Sequence, residues 1–412
     1  MATPLPHPVD ARARIPRTVW ALGFVSMFMD LSSEIVHALL PLFLTTVLGV
    51  SVAMVGLIDG VAESTASITK VFSGYLSDRM GRRKPLILLG YGLGALSKPF
   101  FPLANSAAFV FGARFADRIG KGLRGAPRDA LVADVTPPEI RGRAFGLRQS
   151  LDTVGAFAGP LLAIGLMVLF ANDMRMVFWI AVIPGVLAVL CVLFGVEDAP
   201  PAKSESARPP VRMTDLRLLP RAFWATVAIG VVFTLARFSE AFLILKASAE
   251  GLPLALAPLV LVAMNVVYAL GAYPAGILSD RVNGRALLGS GMICLILADL
   301  ALALLPGISG AFVGIVLWGG HMALTQGLLA KMVADNAPSH LRGSAYGLFN
   351  LATGLTLLIA SVVAGLVWDG FGASATFLVG AGFSLVAFVL LFVLRVARVP
   401  EATLVADSNH GA

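Results

Sequence analysis

Apolar runs of twenty or more residues recur from one end of this chain to the other. They lie roughly at 18–47, 52–74, 85–104, 107–134, 143–170, 175–196, 221–247, 253–279, 285–305, 309–336, 343–368 and 372–396. Each is long enough to cross a hydrocarbon core of about 30 Å as a helix. Of the 412 residues, 58% are hydrophobic and only 13% charged, a balance that leaves too few polar groups to cover a soluble surface. A membrane β-barrel would show short alternating segments instead of long continuous ones. The expected fold is therefore an all-α membrane protein with twelve transmembrane helices.

The net charge of +7 does not point to nucleic acid, because the basic residues sit mostly in alternate loops. One set holds Arg12, Arg14 and Arg17, then Arg79, Arg82, Arg83 and Lys84, then Arg141 and Arg143. It continues through Lys203, Arg208, Arg212 and Arg217, then Arg281, Arg285 and Arg342, and ends with Arg395 and Arg398. The opposite set has little beyond Arg175 and Lys246. The excess of Lys and Arg on one side predicts that both termini and the central linker are cytoplasmic. The first apolar segment is too long for a cleavable signal peptide and lacks a small-residue cleavage site. Cys191 and Cys294 both fall within spans and read as packing residues.

The chain repeats itself. GYLSDRMGRRK at 74–84 returns as GILSDRVNGRA at 276–286, and ADVTPPEIRGRAFGL at 133–147 returns as ADNAPSHLRGSAYGL at 334–348. The matching offsets indicate one duplication. Between the halves, EDAPPAKSESARPPVR is too rich in Pro, Ser and charge to build a core. The expected organisation is an N-terminal six-helix bundle over 1–196, a cytoplasmic linker over 197–220, a C-terminal six-helix bundle over 221–396 and a cytoplasmic tail over 397–412. Two bundles joined this way suit a transporter with its substrate site between them.

The pattern resembles the major facilitator superfamily across nearly the whole chain. Residues 74–84 are similar to that family's loop signature between its second and third helices, and Arg118 to Gly122 resemble an R-x-x-x-G element of helix 4. Gly155, Gly159 and Pro160 resemble the helix 5 element of proton-coupled exporters. WALGFVSMFMDLSSEIVHALLP, VVFTLARFSEAFL and GGHMALTQGLLA look like bacterial nickel-resistance (NreB-type) exporters. The resemblance implies a bacterial inner-membrane antiporter that exports its substrate, with nickel favoured, acting as a monomer and without a cofactor. Such exporters often carry a His-rich tail, which this chain lacks: it ends ADSNHGA.

The motifs have physical readings of their own. Gly74, Asp78, Arg79, Gly81, Arg82 and Arg83, with Asp280 and Arg281 in the repeat, form a candidate conformational latch. A carboxylate at a helix end can face a neighbouring helix N-terminus and pair with arginines. Simple anchoring by basic residues is the plainer alternative. Gly155 and Gly159, one turn apart, allow close helix contact, and Pro160 reshapes the local backbone.

Acids inside spans are the strongest functional signal. Asp30, Glu34 and His37 span about 60° of helix 1 and so share a face. An ionised side chain in the bilayer centre costs about 2.5–3.5 kcal/mol on insertion scales, so these groups are expected to face a cavity between the halves. Glu240 on helix 7 falls near the repeat position of Glu34, and Arg237, one turn away, can pair with it. Asp59 and Glu63 on helix 2, Arg118 on helix 4, Asp152 on helix 5 and His321 on helix 10 complete the candidate substrate and proton site. Taken alone, His321 reads as a hydrogen bond to a neighbouring helix and Met322 as packing, and Asp30 can instead pair with an arginine of helix 4 or 5. Glu34, His37 and Glu240 could bind a divalent metal or carry protons, and competition between the two would give antiport. Arg114, Arg118, Lys121 and Arg128 form a basic stripe on helix 4, which a free anion or an anionic metal chelate would also use, and an exporter of an organic or drug-like compound on the same scaffold is a further alternative. The chain lacks H-E-x-x-H, G-x-S-x-G and a Walker loop, so it does not read as an enzyme.

Overall fold

A computed structural model describes residues 14–198, 219–338 and 341–394, without the side chains of 279–281, 327, 330 and 343, and twelve helical passes account for most of these described residues. Most of the linker and the tail lie outside the described residues. The first six passes are α1 (Arg17–His37), α2 (Val52–Met80), α3 (Lys84–Ser97), α4 (Ala107–Val135), α5 (Arg141–Leu169) and α6 (Met174–Gly195). The next six are α7 (Arg221–Leu235, resumed over Ala241–Ala249), α8 (Leu259–Arg281), α9 (Gly284–Leu304), α10 (Gly307–Asp335), α11 (Arg342–Phe371) and α12 (Ala373–Val393). Ten spans among the described residues are long and apolar enough to cross a membrane. The two that fall short are α4, with its many charges, and α7, which is broken.

The two halves share one packing plan. In the first, α1 packs on α5 and α6, α2 on α4, and α3 on α4 and α6. In the second, α7 packs on α11 and α12, α8 on α10, and α9 on α10 and α12. This is the same pattern advanced by six helices, as a duplication requires.

Between the halves, α2 and α11 form the most extensive junction, and its geometry depends on glycine. A Cβ at Gly56 would lie 2.2 Å from the Ser361 carbonyl oxygen, and one at Gly365 would lie 2.6 Å from Ala53 Cα. Both positions are near the ends of α2 and α11 remote from the chain termini. There the Asp369 carboxylate accepts from the N–H groups of Val52 at 3.1 Å and Ala53 at 2.9 Å, satisfying the free amides that open α2. The halves are thus sealed together on the face opposite the termini.

Pro41 explains a departure in the first pass. Its ring conflicts with a helical carbonyl four residues back, so the regular helix stops at His37 and the chain continues through Leu40–Leu42 and a π-helical turn at Phe43–Val47.

Candidate functional site

The seventh pass was expected as one helix over 221–247, yet it unwinds between Leu235 and Ala241 without proline or glycine. Ser239 compensates for the lost backbone bonds. Its hydroxyl accepts from the Ala241 N–H at 3.1 Å, and its own N–H donates to Ser361 Oγ at 3.2 Å. The break thereby presents Arg237, Phe238, Ser239 and Glu240 at mid-depth. Unwound backbone at that depth is tolerated only where protein or a cavity satisfies it.

A cavity of about 450 Å³ occupies that position, and both halves line it. Glu34, His37, Asp59, Glu63, Arg118 and Lys121 come from the first half. Arg237, Phe238, Glu240, Asn265 and Trp318 come from the second. Seven of the ten residues read as candidate substrate or proton groups therefore share one wall: Glu34, His37, Asp59, Glu63, Arg118, Arg237 and Glu240.

Most first-half charges in the cavity hold one another. Glu34 and His37 meet at 3.4 Å, Arg118 reaches Glu63 at 3.2 Å, and Arg114 reaches Asp59 at 3.3 Å. Behind the wall, Lys98 is buried against Asp117 at 2.8 Å and Ser33 at 3.0 Å. In contrast, Lys121, Arg237 and Glu240 make no ion pair within 4.0 Å among the described residues. The expected pairing of Arg237 with Glu240 does not form, because it presumed a continuous helix. The Arg237 guanidinium instead lies over the Phe233 ring, 5.6 Å from its centroid.

Three candidates lie elsewhere. Asp30 and Asp152 leave the cavity wall and stand beside each other. Asp152 also lies 3.6 Å from both Arg128 and Arg148, so this is a second polar cluster displaced toward the terminal face. The shared face expected for Asp30, Glu34 and His37 thus divides: the last two reach the cavity and the first does not. His321 is fully buried, edge-on to Trp318 and Phe233, while Met322 reaches the cavity. Among the described residues no three His, Cys, Asp or Glu side chains are grouped to hold a metal ion, so Glu34, His37 and Glu240 do not form a ready ligand set.

The helix 5 element acts directly on the site. A Cβ at Gly155 would lie 2.3 Å from the Met27 carbonyl oxygen, and one at Gly159 would lie 2.6 Å from Glu34 Cβ. These glycines let α5 press against α1 where Glu34 enters the cavity, and Pro160 is buried beside them within α5. In the candidate latch, Arg83 pairs with Asp78 and with Asp134 at 3.2 Å, both within the first half, and also donates to Ser77. Gly81 ends α2 in the left-handed conformation at φ 63°, and Gly74 faces Ala126 of α4. Arg79 and Arg82 are exposed. The side chains of Asp280 and Arg281 lie outside the described residues.

Residues not singled out from the sequence include Lys98, Ser239, Ser361 and Asp299. Asp299 is fully buried in α9, and its carboxylate oxygens have no hydrogen-bond partner. A Cβ at Gly380 would meet Asp299 Oδ2 at 2.9 Å and Phe238 Cε1 at 3.0 Å, so the carboxylate lies behind the unwound turn. Its acid within an apolar run, LILADLALAL, was the available signal.

The comparisons with known proteins follow the same architecture. The chain is 30% identical over 385 residues to an uncharacterized MFS-type transporter of Methanocaldococcus jannaschii, covering 92% of this chain and 94% of that one. It is 30% identical over 187 residues to the multidrug resistance protein MdtH of Salmonella typhi, which covers 45% of each chain. Its fold matches a mutant of the nucleoside transporter NupG with a TM-score of 0.80 at 13% identity, over 92% of this chain and 100% of that one. It also matches a bacterial homologue of the lysosomal transporter Spinster at 0.74 and 18% identity, over 93% and 98%. At such identities these two structures speak for the fold alone. Residues 22–355 and 251–410 match the Major Facilitator Superfamily, and with twelve helices in two equivalent sets around a central cavity the chain belongs to that superfamily of membrane transporters.

Proposed function

We propose that this protein is a proton-coupled exporter of a small organic compound carrying charged groups, working by alternating access from the cavity between its two halves. The observation that carries this reading is the set of three ionisable side chains, Lys121, Arg237 and Glu240, that share the cavity without ion-pair partners among the described residues. Arg237 and Glu240 are only partly exposed, so leaving them uncompensated is costly and a cargo with complementary charge removes that cost, while the exposed Lys121 is open to the same cargo. A volume of about 450 Å³ suits a small organic molecule, and the lining includes Phe238 and Trp318 beside the charged groups.

Export is supported by the glycine-proline element of α5 and by the likeness to a multidrug resistance protein over part of the chain. The neighbouring carboxylates Asp30 and Asp152, together with Glu34 and His37, are the groups we assign to the proton. The Asp78–Arg83 contact acts as conformational machinery, and the termini face the cytoplasm of a bacterial inner membrane. A divalent metal, nickel by resemblance, is the second reading, favoured by the adjacency of Glu34 and His37 at 3.4 Å.

Proteoliposomes carrying a pH-sensitive dye separate the two. Proton flux driven by gradients of small amphoteric and anionic aromatic compounds, with none driven by Ni²⁺, Co²⁺ or Zn²⁺, is the expected result. Metal-driven flux that Glu34→Gln abolishes would transfer the function to the second reading.

A further inference from the structure

Ser239 joins three elements at one point. Besides its bonds to Ala241 and Ser361, its hydroxyl donates to Asp59 Oδ2 at 2.8 Å, across the interface between the halves. Asp59 is only 3% exposed, and its other oxygen accepts from Arg114 at 3.3 Å. One carboxylate thus serves two masters: Oδ1 belongs to the charge network of the first half, and Oδ2 holds the unwound turn of the second. Among the described residues, the other hydrogen-bonded tie between the halves is Asp369 on the opening amides of α2, remote from the cavity. The Ser239 tie is the one that lies at the cargo site.

We infer that Ser239 is a positioning residue that couples the cavity to bundle movement. Its bond to Asp59 sets Arg237 and Glu240 opposite Glu63, Arg118 and Lys121, and it holds the present closed arrangement of α2, α7 and α11. The bond spans the two halves and has to open when they part. Gly56 makes the geometry possible by letting Ser361 approach α2. The inference rests on alternating access and not on the identity of the cargo.

The test needs no cargo. Spin labels are placed at Val50 and Gly370, flanking the sealed ends of α2 and α11, after Cys191→Ala and Cys294→Ala. Double electron–electron resonance then gives the ratio of closed to open populations. A hydrogen bond to a charged acceptor predicts that Ser239→Ala lowers that ratio by about tenfold or more. Ser239→Thr, which keeps the hydroxyl, restores it. Ser361→Ala loosens the turn only within its own half and leaves the ratio near the wild-type value. Asp369→Ala lowers the ratio independently, so its effect multiplies with that of Ser239→Ala.

Once a transported compound is in hand, Ser239→Ala should raise KM several-fold with Vmax kept, a split that general damage would not produce. An unchanged ratio in Ser239→Ala overturns the inference. So does an equal shift in Ser361→Ala, which would mean local loosening. If Ser239→Ala is not recovered folded, Ser239→Cys, with the two spin labels attached by non-thiol chemistry, replaces the hydroxyl by a weak thiol donor and carries the same expectations in direction.

Discussion

The first half of the molecule buries Asp59, Lys98, Arg114, Asp117, Arg118, Arg124 and Arg148, none more than 7% exposed, whereas the second buries Lys246 and Asp299 among its described residues. The packing plan is shared, yet the electrostatics differ. Charges of the first half come from α1 to α5 and largely neutralise one another, as in Asp59–Arg114, Glu63–Arg118 and Asp117–Lys98. Among the described residues the second half offers the cavity fewer charges, and Arg237 and Glu240 sit without ion-pair partners on the unwound turn of α7. A mutually paired network is a fixed wall, because removing one member strands another. An unpaired group on irregular backbone is free to take a new partner. The two halves therefore share a common frame and differ in how their cavity-facing charges are held.

The largest expected effect breaks the paired side. Lys98→Met leaves Asp117 buried with Arg118 at 3.8 Å as its remaining partner, and it should destabilise the folded protein by about 3–5 kcal/mol in a denaturation series in detergent. The double variant Lys98→Met, Asp117→Leu should recover most of that loss. A neutral single variant would erase the distinction between the paired network of the first half and the unpaired groups on the α7 turn.

The opposite signature is expected on the turn. Glu240→Gln should lower transport about tenfold or more, roughly 1.4 kcal/mol in the rate-limiting step, while thermal unfolding stays near wild type. Loss of folding in this variant would place Glu240 with the structural charges.

A comparable effect, read in stability as well as transport, tests how the site is held. Gly159→Ala drives a methyl group toward Glu34 Cβ and should cost about 1–3 kcal/mol with weakened transport. Gly165→Ala, on the same helix with nothing within 4 Å, should be nearly neutral.

The smallest effect concerns the end of the broken helix, outside the spanning segments. Hydrogen bonds from Lys246 and then from the Gly307 N–H hold the Glu250 carboxyl below its ordinary value. A lowered folded value means that the stabilisation is present above the unfolded carboxyl value of about 4.3 and is lost as pH falls through the folded value. Melting measured downward from pH 7 should show a small acid-side loss that Glu250→Gln lacks.

Much of the fold was legible in the sequence because spanning a bilayer forces long apolar runs and the duplication left two copies of each loop motif. Of the cavity lining, Glu34, His37, Asp59, Glu63, Arg118, Arg237 and Glu240 were legible because acids and bases inside a span demand a polar cavity. Helical periodicity could not separate Asp30 from Glu34, since which side of a shared face meets α5 depends on how closely Gly155 and Gly159 allow approach. The break in α7 was hidden because serine hydroxyls, not proline or glycine, sustain it, and one of them comes from α11, far along the chain. Ser239 and Ser361 carry no signal of their own until the two helices are brought together.

The central claim is that Glu34 and Glu240, from different halves, share one polar cavity. Glu34→Cys and Glu240→Cys, each made without Cys191 and Cys294, can be probed in right-side-out and inside-out vesicles with a small, membrane-impermeant cationic thiol reagent. Both cysteines should react from the same side of the membrane, and in a Glu34→Cys, Glu240→Cys double variant a short bifunctional reagent should link them. Reaction of only one, or labelling of both solely by lipid-soluble reagents, would contradict the shared cavity while leaving the twelve-helix fold in place.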